Sequence, residues 1–209
     1  MLRAVNGTPD TIVLDFETSG MSPAKGARVI EVGAVRLRDN KIIDQFQSLA
    51  NPNVFLNDFI TDLTGITNEM VRHAESIDSV MGRFSEFIGD ANLVAHNASF
   101  DRNFLQAELL RIGCDRPMIF ACSMLVSRRV YPEAPNHKLA TLVRYKNLPN
   151  SGTYHRALAD AEMTAYLWLE MVADLRERYN LDHLPFSTLT GLGKVSPKKL
   201  DAYFKQSRH

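Results

Sequence analysis

The chain has 209 residues, of which 45% are hydrophobic and 23% charged, and its 24 basic side chains are matched by 24 acidic ones. Such a chain is long enough to bury one substantial core, with at most a small appendage, and its composition is that of an ordinary soluble globular protein. No apolar run approaches the roughly 20 residues needed to cross a bilayer, the start MLRAVNGTPD has no secretory pattern, and a zero net charge does not by itself announce a nucleic-acid binder. Cys114 and Cys122 form neither a disulfide framework nor a zinc-ligand spacing, which reads as a reduced cytoplasmic setting. The charge is unevenly placed, however: residues 1–110 hold 9 Lys+Arg against 15 Asp+Glu, and residues 111–209 hold 15 against 9. The basic second half reads equally as a source of phosphate contacts or as a mixed solvated surface.

Three strands are expected first. Residues 11–17, TIVLDFE, form a short apolar run ending in acid, and residues 29–38 and 41–49 flank Asp39-Asn40, a tight antiparallel connection. The period then becomes helical over residues 77–88, where Ile77, Val80, Met81, Phe84, Phe87 and Ile88 share a face. Residues 91–96 read as a short buried strand, and a helix from Ala98 to Ile112 follows with Gly113 placed to end it. A further strand is expected at 117–122 and a short helix at 136–145. The longest element spans Ala157 to Tyr179, with one apolar face through Leu158, Ala161, Ala165, Trp168, Val172 and Leu175. Residues 1–9 read as a lead, 10–180 as the domain and 181–209 as a basic extension carrying Lys194, Lys198, Lys199, Lys205 and Arg208, an appendage with no assigned element. Strands followed by alternating strands and helices point to an α/β or α+β layered fold.

Three segments hold residues suited to chemistry. Asp15 and Glu17 are two apart, so on a strand they leave the same face, with Val13, while Ile12, Leu14 and Phe16 leave the other. Charges ending an apolar strand need a cation or donors to balance them, unless the pair only marks an exposed strand end. Asp101 follows His96-Asn97-Ala98-Ser99-Phe100 in the first turn of a helix, where it is either functional or a complement to the helix dipole. His96 and Asn97 organise the turn, and Phe100 fits a core position. His155 and Asp160 are five apart, about 140° around a regular helix. They can share a site only if His155 lies in the entering loop, which Gly152 makes plausible. Imidazole titrates near 6.5 and suits deprotonation of water around neutral pH. Together the five offer hard oxygen ligands for two divalent cations and a base beside them.

The order D-x-E, H-N-x-x-F-D and H-x-x-x-x-D resembles the three motifs of the DEDDh exonucleases, the family that includes the proofreading epsilon subunit of bacterial DNA polymerase III. The resemblance covers roughly residues 10–178, and LTGITNEMV at residues 63–71 is similar to its polymerase-associated members in particular. A related branch uses a tyrosine four before the last aspartate; Arg156 stands there, so the histidine branch is the match. The resemblance implies a ribonuclease H-like α/β fold, a five-stranded mixed sheet flanked by helices, and release of nucleoside 5′-monophosphates from 3′ ends. It implies two Mg2+ or Mn2+ ions held by Asp15, Glu17, Asp101 and Asp160, with His155 as general base. Thr18, Thr64, Gly65, Ile66, His96, Asn97 and Phe100 would contact the terminal nucleotides, Ile66 as a wedge beside the last base. The implied partner is nucleic acid with a 3′ end, DNA before RNA, in the setting of a DNA polymerase or repair complex, with no membrane. The rival readings are an RNA-trimming exonuclease on the same fold, a two-metal hydrolase of another phosphodiester or small nucleotide, and a silent nucleic-acid-binding domain, which would not need all five groups.

Overall fold

The computed structural model describes residues 10–150 and 155–206; the expectations for residues 1–9, for the Gly152 loop and for residues 207–209 lie outside the described residues. Strands β1 (Thr11–Thr18), β2 (Val29–Arg38) and β3 (Lys41–Leu49) run antiparallel, and β4 (Asn92–Ala95) and β5 (Phe120–Cys122) add parallel to β1. The sheet order is β3-β2-β1-β4-β5. This is the five-stranded mixed sheet implied by the motifs. Asp39 and Asn40 both take positive φ, 50° and 61°, which is why two residues suffice to turn β2 into β3.

Alternation along β1 loads both faces. Ile12, Leu14 and Phe16 pack with α3 (Ile77–Ile88) and α4 (Ser99–Arg111) through Val80, Phe84, Phe104 and Leu105. Val13 packs on the opposite face with α5 (Ser123–Val130), α6 (Leu139–Tyr145) and α7 (Ala157–Tyr179), through Val126, Leu142, Trp168 and Met171. Burying each such side chain stabilises by about 1.5–3 kcal/mol. A third cluster, Ile30, Leu56, Ile60, Ile66 and Val71, seats α1 (Asp58–Thr64) and α2 (Asn68–Arg72) against the start of β2. These two helices carry clear start signals, since Asn57 and Thr67 accept hydrogen bonds from the amides of Ile60 and Met70. At seven and five residues, however, they are too short to show a period.

The basic segment is not an appendage over its described part. Residues 186–192 and 200–206 form α8 and α9. Leu184, Leu189, Leu192, Leu200 and Phe204 join the core cluster of α7, with the Tyr179 and Phe204 rings stacked 4.2 Å apart. Apolar residues spaced through a Lys-rich stretch explain the difference: the lysines stay exposed while the leucines fold inward.

Helix α7 lies across β1 and β2 at close range. Gly33 allows this, since a β-carbon there would overlap the backbone of Ala157 and Leu158. Gly33→Ala is expected to lower stability by about 1–3 kcal/mol or more, the cost of forcing extra volume into packed backbone. Urea unfolding reads it, and an unchanged midpoint would refute the packing described.

Candidate active site

Strand β1 outruns β4, whose pairing with it covers Thr11 to Val13 only. The C-terminal end of β1 therefore projects beyond its neighbour, and Asp15 and Glu17 stand there on the α7 side. Asp15 is half-buried and Glu17 is 8% exposed. On the β4 side of this overhang the amide of Phe16 has lost its ladder partner, and Asp101, 2% exposed in the first turn of α4, accepts it at 3.2 Å. One bond thus satisfies a stranded donor and pins the third carboxylate to the first two.

The fourth arrives from the other face. Asp160 lies in the first turn of α7, and His155 lies two residues before the helix begins, as their spacing requires. His155 takes a left-handed φ of 61°, and its amide donates to Asp160 Oδ2 at 3.0 Å. That turn brings the ring back over the strand end: ligand atoms of Glu17, His155 and Asp160 all lie within 4.8 Å of one another.

Burial and mutual repulsion dominate the electrostatics. Burial raises Asp15 well above the usual carboxylate range, and the charges of Asp101, Asp160, Glu17 and Glu31 raise it further. Glu17 is pushed up to about 8, by burial first and then by Asp160, Glu31 and Asp101. Burial lifts Asp101 to about 7 against the pull of its backbone hydrogen bonds, and burial raises Asp160 also. Four carboxylates with such unfavourable ionisation could hold divalent cations, for which their hard oxygens are suited.

The remaining candidates take mixed positions. Thr18 is buried and its hydroxyl donates to Gly20 O at 2.7 Å. Thr64 donates to Ile60 O at 2.8 Å and accepts from Ile66 N at 3.1 Å, shaping the turn at Gly65, which is exposed with φ 71°. Ile66 is fully buried in the third cluster and presents no surface to a base, because the turn points it inward; Leu63, 41% exposed, is the outward apolar side chain of that segment. His96 bonds Ser123 Oγ at 2.8 Å and His137 O at 3.0 Å, and burial lowers it to about 4, so it braces the turn as a neutral ring. Asn97 is exposed at φ 69°, and Phe100 is half-buried, its ring 4.9 Å from that of Phe104. The motifs passed over Glu31, which pairs across β1–β2 with Glu17 and is fully buried. An acid inside the otherwise apolar run VIEVGAV was its signal in the sequence.

A family model described as Exonuclease (RNase_T) matches residues 12–168. The PolC-type DNA polymerase III of Bacillus subtilis (strain 168) is 40% identical over 171 residues, covering 80% of this chain and 12% of that protein. That of Latilactobacillus sakei subsp. sakei (strain 23K) is 37% identical over 203 residues, covering 94% and 13%. The chain thus spans about an eighth of the length of these relatives. Among solved structures, exonuclease X in complex with 5′ overhanging duplex DNA superposes with a TM-score of 0.68 at 24% identity, covering 88% of this chain and 99% of that one. The nuclease domain of 3′hExo, a DEDDh family member bound to rAMP, gives 0.67 at 23% identity, covering 82% and 95%. Both share the fold.

The raised carboxylates set a pH dependence. Glu17 and Asp101 bind protons more tightly folded than unfolded, so their contribution to stability is full below about pH 4 and is lost as pH rises through 7 and 8. One shifted unit is about 1.4 kcal/mol, and a domain of this size moves about 2–4 °C per kcal/mol. Metal-free protein is therefore expected to melt several degrees lower at pH 8.5 than at pH 5. Magnesium should stabilise it more at the higher pH, and Glu17→Gln with Asp101→Asn should flatten the slope. A metal-free melting temperature that rises from pH 5 to 8.5 would contradict this charge assignment.

Proposed function

Since this chain belongs to the exonuclease (RNase_T) family, we propose that it is a 3′–5′ exonuclease of the DEDDh type acting on the 3′ ends of DNA, with two divalent cations and His155 as general base. The convergence of Asp15, Glu17, Asp101, Asp160 and His155 on the overhanging end of β1 carries this reading. Asp15, Glu17 and Asp160 would hold one cation, with Asp15 shared and Asp101 supporting the second. When bound, the pair supplies charge stabilisation for the entering and leaving oxygens of an in-line displacement.

The chain's own groups do the rest. The exposed imidazole of His155 takes a proton from water as its oxygen bonds to the terminal phosphorus. The bond from phosphorus to the 3′ oxygen of the preceding nucleotide breaks, freeing a nucleoside 5′-monophosphate and a new 3′ end. Thr18, Gly65, Asn97 and Phe100 border the terminal nucleotide in this reading. Residues 10–180 make up the exonuclease module, and the exposed lysines of 181–209 lie available for phosphates or a partner.

DNA is favoured by the polymerase relatives and by the segment LTGITNEMV. The relatives carry the matched region within a much longer polymerase, so association with a DNA polymerase or repair complex is the partner reading. RNA trimming is the second reading, since the 3′hExo domain of the same fold holds rAMP.

Purified protein with 5′-labelled DNA in magnesium or manganese is expected to give a descending ladder, absent in EDTA and in Asp15→Ala. His155→Ala should retain about 10⁻²–10⁻⁴ of the rate, the usual worth of a positioned general base. RNA of the same sequence should be degraded at least several-fold more slowly. Faster loss of the RNA would reverse the substrate assignment, and equal cutting of 3′-blocked strands would rule out action from the end.

A further inference from the structure

Among the described residues, Glu31 is an acid beside the site whose bonding is already complete. It sits at 0% exposure in β2, directly opposite Glu17. Its Oε1 accepts from Gln47 Nε2 at 3.1 Å and Arg156 Nη2 at 2.8 Å, and its Oε2 accepts from Arg156 Nε at 3.1 Å and from the Ala157 amide at 3.1 Å. A carboxylate offers about four lone-pair positions. All are filled by donors, so Glu31 has no oxygen to spare for a cation and is no fifth metal ligand.

Its donors show what it does instead. Arg156 and Ala157 are the two residues that follow His155, and both are fastened to the same buried carboxylate. Gln47 ties that carboxylate onward to β3, so the start of α7 is anchored across two strands. His155 itself holds a left-handed backbone, φ 61°, which a non-glycine residue adopts only at a cost. Such a conformation persists only where its surroundings enforce it. The enforcement comes from two sides: Asp160 accepts the His155 amide, and the Glu31–Arg156 fork fixes the next residue.

We propose that Glu31 and Arg156 are positioning residues, whose bidentate pair holds His155 in the pose from which its ring reaches the Glu17 and Asp160 carboxylates. This rests on the reading of His155 as general base. The Arg156 side chain faces the buried carboxylate of Glu31 through two parallel N–H bonds, and so acts through the backbone it belongs to. Glu31→Gln is a sharp probe, because the amide nitrogen it introduces must face one of the present donors.

A double-mutant cycle on the full chain tests this, with a 5′-labelled DNA strand and manganese as probe. Arg156→Ala and Glu31→Gln should each lower kcat at least tenfold, with KM changed less than threefold. In the His155→Ala background the same substitutions should change the residual rate less than threefold, since the group they position is gone. Arg156→Lys, which keeps the charge and one donor, should recover part of the loss, and it replaces Arg156→Ala in the cycle if that variant does not fold. Equal losses in both backgrounds would make the pair merely structural and overturn the proposal. A raised KM at unchanged kcat would also overturn it, by assigning Arg156 to substrate contact. An unmodified protein inactive on every strand would defeat the exonuclease reading and this inference with it; activity without coupling would defeat the inference alone.

Discussion

Repulsion among four carboxylates crowded at one strand end is the constraint from which the rest of the molecule follows. Left alone, Asp15, Glu17, Asp101 and Asp160 would drive apart the two faces of the sheet that carry them. They come from β1, α4 and α7, elements joined by packing and by the Phe16–Asp101 bond. What holds them is a second set of buried charges that are fully paired. Glu108 of α4 accepts Arg28 Nε at 2.9 Å and the Val29 amide at 3.3 Å. On the opposite face Glu31 accepts Arg156 and the Ala157 amide. Strand β2 therefore acts as a ruler: its first residues grip α4 on one side and α7 on the other, fixing where Asp101 and Asp160 meet β1.

The two sets of acids differ in bonding, and that difference sorts structure from function. Glu31 and Glu108 each meet a guanidinium and a backbone amide, which closes the donor network around them. Asp15 and Glu17 are the opposite case: both are raised by burial and then by neighbouring acids. Arg156 lowers Glu17, but by less than Asp160, Glu31 and Asp101 each raise it. Natural folds keep such unpaired charge where a ligand completes it. The cost falls on stability, and a ligand that binds only the folded cluster would offset it.

Much of this could be read from the chain before folding. The hairpin at Asp39-Asn40 and the helices at 77–88 and 157–179 were legible because each carries a long period or a specific turn pair, and the helix at 99–111 because Gly113 stands to end it. The five chemical residues were legible because their types and order are rare in combination. Helices α1, α2, α5, α8 and α9, of five to eight residues, escaped because two turns cannot display a face. Ile66 misled for a related reason: the direction of a side chain at a turn depends on the Gly65 backbone and the Thr64 hydrogen bonds, which no pattern of types encodes. Glu31 was hidden differently. Its role depends on a pairing with Arg156, 125 positions away.

Chemistry and selectivity are therefore written in different parts of the molecule. The acids stand on a strand and in the first turns of two long helices, elements fixed by two apolar clusters, so their geometry is over-determined. Choosing between sugars requires a donor or acceptor placed beside one hydroxyl, and the proposed contacts to the terminal nucleotide include turns: Thr18 to Gly20, Gly65 and Asn97, the last two at positive φ. Turn backbone offers amides and carbonyls whose direction changes with a single residue. A rigid acid cluster surrounded by adjustable turns can keep one hydrolytic reaction while its nucleic-acid preference shifts, which is why the five catalytic candidates speak for phosphodiester cleavage more strongly than for either kind of strand.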